Sequence, residues 1–514
     1  MDKKFYITAP IFYANAKLHM GHAYSLVLSD ILARYHRTIG EKTFFVSGAD
    51  EHGDKIVRAA QKEGLGPQVF VNIKFDEFKE LSGKLGISND FFVRTSDKEC
   101  HWPGAQKLWR ALLEAGDVYK DAYKGLYCVG CEAFITEHEL VDGKCPHHDT
   151  VPESISEENY FFKLSKYALE IRQLINERKL KITPHSKANE MIALIDEGLS
   201  DVSISRPEKE IPWGVPVPGD SSHFMYVWCD ALSSYLSALG YGGEDDTNFR
   251  EFWPANVQVI GKDIMRFHTL LWPALLLSAK LPLPQEIFVH GFITSGGKKM
   301  SKSIGNVLDP YEFINEYGLD ALRYYLAREV VPTEDGDLTH ERFKEIYNAN
   351  LANGIGNLVS RTLKMAEQYF GGNIAGQRES VPPLRTRAVF ETSETEIGGF
   401  NIPFIIQNNI LPRYHTHMQG NEINKAADVV WELVSHLDHF ITDYEPFKLI
   451  KTDKEMTGKV LWGVIEGILQ ITDMLIPLMP DTAQKIRELI KTEEKDGETT
   501  FITKTPAEPL FGRK

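Results

Sequence analysis

The chain has 514 residues, room for about three domains. Its apolar share of 43% and charged share of 25% are ordinary for a globular protein. The net charge of −15 excludes a general polyanion binder, so any nucleic acid must be met by a local basic patch and by shape.

The first ten residues lack the long apolar core of a signal peptide. The apolar run at 269–279 contains Pro273 and is too short to span a bilayer. Five cysteines in a chain of this length do not make a disulfide scaffold. The expectation is a soluble, cytoplasmic protein that binds no membrane.

In chain order, residues 4–11 alternate as a strand, and Pro10, Asn15 and Ala16 turn the chain. From Gly21 to Arg37 apolar residues recur at helical spacing. Strand signals at 43–47 and 91–94 alternate with helical patterns at 54–63, 68–85 and 99–115. Such alternation predicts a parallel sheet with crossover helices, whose ligands bind beyond the carboxyl ends of the strands.

The pattern breaks at Gly116. A loop-rich segment follows, opening on Cys128 and Cys131 and closing on Cys145 and His148. The spacing is Cys-x2-Cys, thirteen residues, then Cys-x2-His, which fits one tetrahedral zinc; His147 is an alternative fourth ligand. With all four positions filled by protein, the zinc would be structural. Regularity returns by Glu158, with a helix over 164–177 and a Pro- and charge-rich connection to Gly219.

Residues 224–229 read as an apolar strand, followed by a helix carrying Ala231 and Tyr235. Strands at 257–260 and 287–293 flank a helix carrying His268. After Ala321 strand signals largely vanish, and helical patterns cover 339–371, 411–449 and 459–490, predicting an α-helical bundle. The interval 371–402 is expected to be a partly mobile excursion, and 492–499 a solvated turn.

Two polar stretches carry chemistry. His19 and His22 bracket Met20 and Gly21 where the first strand hands over to a helix N-terminus, an end that suits phosphate. Alone, the pair reads as a surface loop with two solvated histidines. Residues 296–306 form a Gly-flanked loop with three lysines and two hydroxyls, able to clamp a triphosphate. Together they resemble the two signatures of the class I aminoacyl-tRNA synthetases. The second matches letter for letter from Lys299 to Ser303; the first departs only in Met20 for Ile.

Further stretches resemble the methionyl-tRNA synthetase family: Ala-Pro-Ile-Phe-Tyr-Ala-Asn at 9–15, Trp-Gly-Val-Pro-Val-Pro-Gly-Asp at 213–220, Tyr-Val-Trp-Cys-Asp-Ala at 226–231, and 260–264 through Phe267 and His268 to Pro273. The interval from His22 to Lys299 leaves no room for the editing domain of the valine, isoleucine and leucine enzymes. No cysteine precedes Cys100, against the cysteine enzyme.

The resemblance implies a Rossmann-like parallel-sheet catalytic domain split by a zinc-knuckle insertion, then a helical anticodon-binding domain. The limits are 1–115 and 223–345 for the catalytic halves, 116–222 for the insertion with its knuckle at 128–148, and 346–514 for the helices. It implies ATP-dependent activation of L-methionine and transfer to tRNA(Met), the initiator included, by a monomer using Mg2+ with ATP.

The implied catalytic residues are His19, His22, Lys299 and Lys302, with Gly21 and Ser301 also on ATP. Ile11, Tyr13, Asp50, Trp228, Ala231, Tyr235, Ile264 and His268 would hold methionine. Asp50 and the Ile11 carbonyl take the α-ammonium, while Tyr13 and His268 approach the sulfur. From spacing alone, Trp228, Ala231 and Tyr235 read as an ordinary core stripe. Leu232 stands where several relatives have Pro.

Asn357, Arg361 and Phe447 would read the anticodon, with Phe447 in place of a family tryptophan. One methylene is worth about 1–3 kcal/mol in an apolar pocket, so homocysteine should leak through and be cleared as a thiolactone, as in the family. Another class I synthetase, or a catalytically idle tRNA-binding paralogue, are the alternative readings.

Overall fold

The computed structural model describes residues 3–15, 18–128, 133–135, 140–146, 149–209, 212–300, 305–384 and 401–514. The chain divides into two compact units, Met1–Phe292 and Ile293–Lys514.

The first unit is built on six parallel strands: β1 (Lys4–Tyr13), β2 (Lys42–Asp50), β3 (Phe91–Arg94), β4 (Lys181–Thr183), β5 (Val257–Gly261) and β6 (Glu286–His290). Their order is β3-β2-β1-β5-β6-β4. β5 and β6 are buried at every position, as a parallel sheet covered on both faces requires. The chain runs outward from β1 to β3, adds β4 at the far edge, and then lays β5 on β1's other side. The β1/β5 boundary is therefore the switch point, where such sheets open a crevice at their carboxyl ends. Pro10 has no N–H to give the ladder, and the β1–β2 register shifts between Thr8 and Ile11. Helix α1 (Met20–Thr38) connects β1 to β2.

The segment expected to be loop-rich is flanked by a long ribbon that the sequence reading did not expect. Val118–Cys128 and Glu153–Phe162 pair antiparallel from Val118↔Phe162 to Tyr127↔Glu153, with Ala133–Ile135 and Val202–Ser203 at the edges. Its alternation is hidden because charged residues fall on both faces, Lys120 and Glu158 on one and Asp121 and Glu157 on the other. Within the connection to Gly219, Lys181–Thr183 joins the main sheet as β4, and His185–Glu197 is helical. The strand expected at 224–229 is also corrected. A strand covers Asp220–Met225, and helix α2 starts at Val227 and runs to Ser237. A short continuous apolar run does not distinguish a buried strand from a buried helix.

In the second unit, Ile293–Ser295 pairs antiparallel with Lys298–Lys299 and parallel with Gly336–Asp337. The rest is mainly helical: His340–Ile346, Asn357–Phe370, Ile423–Tyr444, Lys454–Leu475 and Pro480–Leu489 are its main elements. The expected helix over 411–449 is interrupted near Gly420 and again at Glu445, whose φ is +43°. Arg323, fully buried, donates to the Pro477 and Leu478 carbonyls just beyond the end of Lys454–Leu475. The expected turn at 492–499 lies in a hairpin, Ile490–Lys495 with Glu498–Thr503, extended by Asn373–Gly376. Asp496 and Gly497 turn it with φ of +52° and +83°. Of the expected excursion, 385–400 lies outside the described residues. Among the described residues no helix is long and apolar enough to cross a membrane.

Candidate active site

The carboxyl ends of adjacent strands gather the polar residues of the first unit. Tyr13 ends β1 opposite Asp50, which ends β2; Gly261 ends β5 opposite His290, which ends β6. Asp50 is 6% exposed, a carboxylate held out of water at a sheet edge. Ile11 lies across from Gly48, where an added Cβ would come within 2.3 Å of the Val93 carbonyl, so this edge admits no side chain.

His19 is the N-cap of α1 and forms a reciprocal box with His22. The Gly21 N–H donates to His19 Nδ1 at 3.1 Å, and the His19 N–H donates to His22 Nδ1 at 3.1 Å. The ring centroids are 4.0 Å apart. With each Nδ1 accepting, the proton of each neutral ring sits on Nε2, which becomes an outward donor. His22 lies against the rings of Phe12 and Phe78. Burial, then the neighbouring His19, holds its pKa down to about 3, against an opposing backbone hydrogen bond from His19. Gly21 serves the cap as well, since a Cβ there would lie 2.9 Å from His19 Cε1. The result is a helix end with two neutral imidazole donors, suited to phosphate oxygens.

A second cluster is apolar and aromatic. Trp228 stacks on Phe267 at 3.7 Å and meets His268 edge-on at 6.4 Å. Ala231 and Tyr235, on α2 with Trp228, are 4% and 2% exposed. Tyr235 donates to His268 Nε2 at 2.8 Å, and His268 Nδ1 donates to the Ile264 carbonyl at 3.0 Å. Both nitrogens of His268 are thus engaged, and Tyr235 presents its oxygen as an acceptor. Phe267–Leu271 is a turn of π-helix just before Pro273, whose missing N–H loosens the ladder. Tyr235's hydroxyl is held protonated well above its ordinary range, first by burial and then by Asp50.

Burial lowers His268 to about 4, partly offset by the Ile264 carbonyl. The unfolded chain protonates this ring near 6.5, and the folded chain does not. Its contribution is therefore complete above pH 6.5 and is lost as pH falls towards 4, about 3 kcal/mol in all at 1.36 kcal/mol per unit. Urea denaturation at pH 7 and pH 4.5 checks this. The fall in stability is expected to be smaller in His268→Gln than in the parent.

The lysine loop belongs to the second unit. Gly296 and Gly297 turn it with φ of +61° and +72°, and Lys298 and Lys299 are exposed. Met300 is described; Ser301 and Lys302 lie outside the described residues. The same holds for Cys131, His147 and His148 of the expected metal site. Cys128 and Cys145 are fully buried and pack together with Leu126 and Leu140, apart from the main core. Two thiols drawn together in a region this poor in apolar side chains fit a soft metal. Of the expected anticodon residues, Asn357 is exposed at the start of its helix and Arg361 pairs with Asp438. Phe447 is 46% exposed.

Sequence reading passed over a buried polar network beside the site, built from Glu51, His52, His101 and Asp230. The available signal was a run of three polar residues immediately after a buried strand.

These features can be set beside known proteins. The family model for class I tRNA synthetases (M) matches residues 5–151 and 147–363. The methionine–tRNA ligase of Thermotoga maritima is 40% identical over 499 residues, covering 96% of this chain and 76% of the relative. That of Clostridium acetobutylicum is 41% identical over 494 residues, covering 96% and 74%. The structure of Mycobacterium tuberculosis methionyl-tRNA synthetase in complex with methionyl-adenylate superposes with a TM-score of 0.89 at 33% identity, covering 99% of this chain and 100% of that one. A family model matched across residues 5–363, relatives 40% identical over nearly the whole chain and a superposing structure, together with a capped histidine pair at the start of the helix that follows β1, place the chain in the methionine branch of the class I tRNA synthetases.

Proposed function

We propose that this chain joins L-methionine to ATP, giving methionyl-adenylate and pyrophosphate, and passes the methionyl group to the 3′ end of tRNA(Met), the initiator included. The supporting observation is that one unit holds both a buried carboxylate, Asp50, at the carboxyl end of β2 and the aromatic cluster of Trp228, Tyr235 and His268. One end suits an ammonium and the other an uncharged, polarisable thioether.

The Asp50 carboxylate and the Ile11 carbonyl hold the α-ammonium. Tyr13, Ala231 and Ile264 complete the lining. A methionine carboxylate oxygen attacks the α-phosphorus, and the bond to pyrophosphate breaks. The chain forms no covalent intermediate, so positioning and charge stabilisation carry the step. His19 and His22 donate from Nε2 to phosphate oxygens, with Gly21 leaving room at the helix end. Lys299, Ser301 and Lys302 meet the departing pyrophosphate. Mg2+ enters with ATP and shields its phosphates.

The catalytic domain comprises 1–115 and 223–345, interrupted by 116–222, and the anticodon-binding domain is 346–514. There Asn357 and Arg361 approach an unstacked base, and Phe447 stacks on one. The protein works as a cytoplasmic monomer.

Cys128, Cys131, Cys145 and His148 hold one zinc, which would supply cohesion to the knuckle at 128–148 and no chemistry. Purified protein is expected to carry near-stoichiometric zinc by elemental analysis, and Cys128→Ala to lose it. An unchanged zinc content in that variant would refute the site, and parallel His147→Ala and His148→Ala variants identify the fourth ligand.

The reading as a whole is tested by ATP–pyrophosphate exchange over an amino-acid panel. Methionine alone should support rapid exchange. Faster exchange with another amino acid would make it a different synthetase, and none with any would make it an idle tRNA-binding paralogue.

A further inference from the structure

Three consecutive residues at the end of β2, 50–52, are held by several other elements. The Ala14 N–H donates to the Asp50 carbonyl at 2.9 Å. The Glu51 N–H donates to Thr95 Oγ1 at 2.9 Å, and Trp213 Nε1 donates to the Glu51 carbonyl at 2.6 Å. The Glu51 carboxylate, fully buried, accepts from Arg94 Nε at 2.9 and 3.1 Å and from Ser96. His52, 1% exposed, donates from Nδ1 to Asp230 at 2.6 Å. The other oxygen of Asp230 lies 2.6 Å from His101 Nε2, and His101 Nδ1 lies 2.8 Å from Ser237 Oγ. Asp230 and His101 are both fully buried.

Asp230 lies on α2 between Trp228 and Ala231, and Tyr235 follows on the same helix. The His52–Asp230 contact therefore joins the segment carrying Asp50 to the helix carrying the aromatic wall. His101, at the start of Trp102–Glu114, braces the same carboxylate from a third element. A buried carboxylate flanked by two imidazoles is too costly to be an accident of packing, and loss of one partner would strand the others. Its position gives it a metric consequence. The α-ammonium and the side-chain terminus of the amino acid are held by parts that this contact fixes relative to each other.

We propose that Asp230, with His52 and His101, is a positioning network that sets the distance between Asp50 and the wall of α2, and so the side-chain length the pocket accepts. Trp213, from the segment inserted between the halves of the sheet, clamps the same turn from outside. The inference rests on the methionine reading above.

The test is kinetic discrimination between methionine and ethionine, which is longer by one methylene, in ATP–pyrophosphate exchange. An intact pocket separates them by about 10- to 200-fold in kcat/KM. Asp230→Asn is expected to reduce that ratio at least about fivefold, mainly by raising the KM for methionine, with the KM for ATP within about twofold. A purely structural role would lower kcat/KM for both amino acids together and leave the ratio unchanged.

If Asp230→Asn proves insoluble, His52 carries the test. His52→Asn keeps a donor where Nδ1 stands and should retain the parental ratio, whereas His52→Ala should lose it. An unchanged ratio in His52→Ala, or equal losses in His52→Asn and His52→Ala, overturns the network. A parent protein that does not turn over methionine overturns instead the reading beneath it.

Discussion

Asp50→Asn is expected to raise the KM for methionine by about two orders of magnitude while leaving the KM for ATP within about twofold, the scale for neutralising one partner of a buried charged contact. The substitution is nearly isosteric, and the Asp50 carbonyl that accepts from Ala14 is untouched. What disappears is the negative charge, 6% exposed, facing the position assigned to the α-ammonium. A methionine analogue lacking the amino group separates this loss from general damage. Its affinity should change little in the variant, whereas that of methioninol, which keeps the ammonium, should fall with methionine. Parallel losses for both analogues would mean that Asp50 shapes the pocket without pairing the charge.

Where the sequence was legible, one face of an element was buried and the period was clean. The helices Asp54–Lys62 and Pro67–Lys84 show this and match their expected limits closely, whereas β1, α1 and β2 were legible as apolar runs buried nearly throughout. The antiparallel ribbon at Val118–Cys128 and Glu153–Phe162 was hidden because its stability comes from backbone pairing over ten residues, with lysines and glutamates on its surface. β4 is three residues long and shows no period at all. The C-terminal hairpin carries the Asp-Gly turn that announces such structures, but the charged residues around Asp496 mask its apolar side chains, Phe501 among them.

The site divides in a similar way. The residue types at 19, 22, 50, 228, 235 and 268 declare their chemistry from pattern and resemblance. What they do to one another does not show there. The reciprocal cap that turns both Nε2 atoms outward depends on φ and ψ at His19, and the Tyr235–His268 bond on side chains 33 positions apart. The linkage of His52 to Asp230 spans 178 positions, and no local periodicity carries such information.

Lys302→Ala should lower the rate of methionyl-adenylate formation by about 10²- to 10³-fold, the range for removing one group that meets charge developing in a transition state. Methionine affinity should change by less than about twofold, since an interaction made only in the transition state leaves ground-state binding alone. The described residues on either side of it are well anchored. Asp337 pins its entry, accepting from the Gly297 N–H and from Thr294 Oγ1, each at 2.8 Å. Asn306 Nδ2 donates to the Lys299 carbonyl at 3.2 Å and ties the far side. A Cβ added at Gly296, Gly297 or Gly305 would meet no atom within 4 Å, so the turns at both ends stand in open space. The variant's melting temperature should stay that of the parent. Lys302→Arg keeps the charge but replaces a compact ammonium with a planar fork, and should recover only part of the rate. Single-turnover formation of adenylate, followed together with methionine binding by fluorescence, separates the two quantities. If affinity fell as far as the rate, the lysine would be holding the amino-acid pocket, and the stabilisation of pyrophosphate would have to be assigned to other groups.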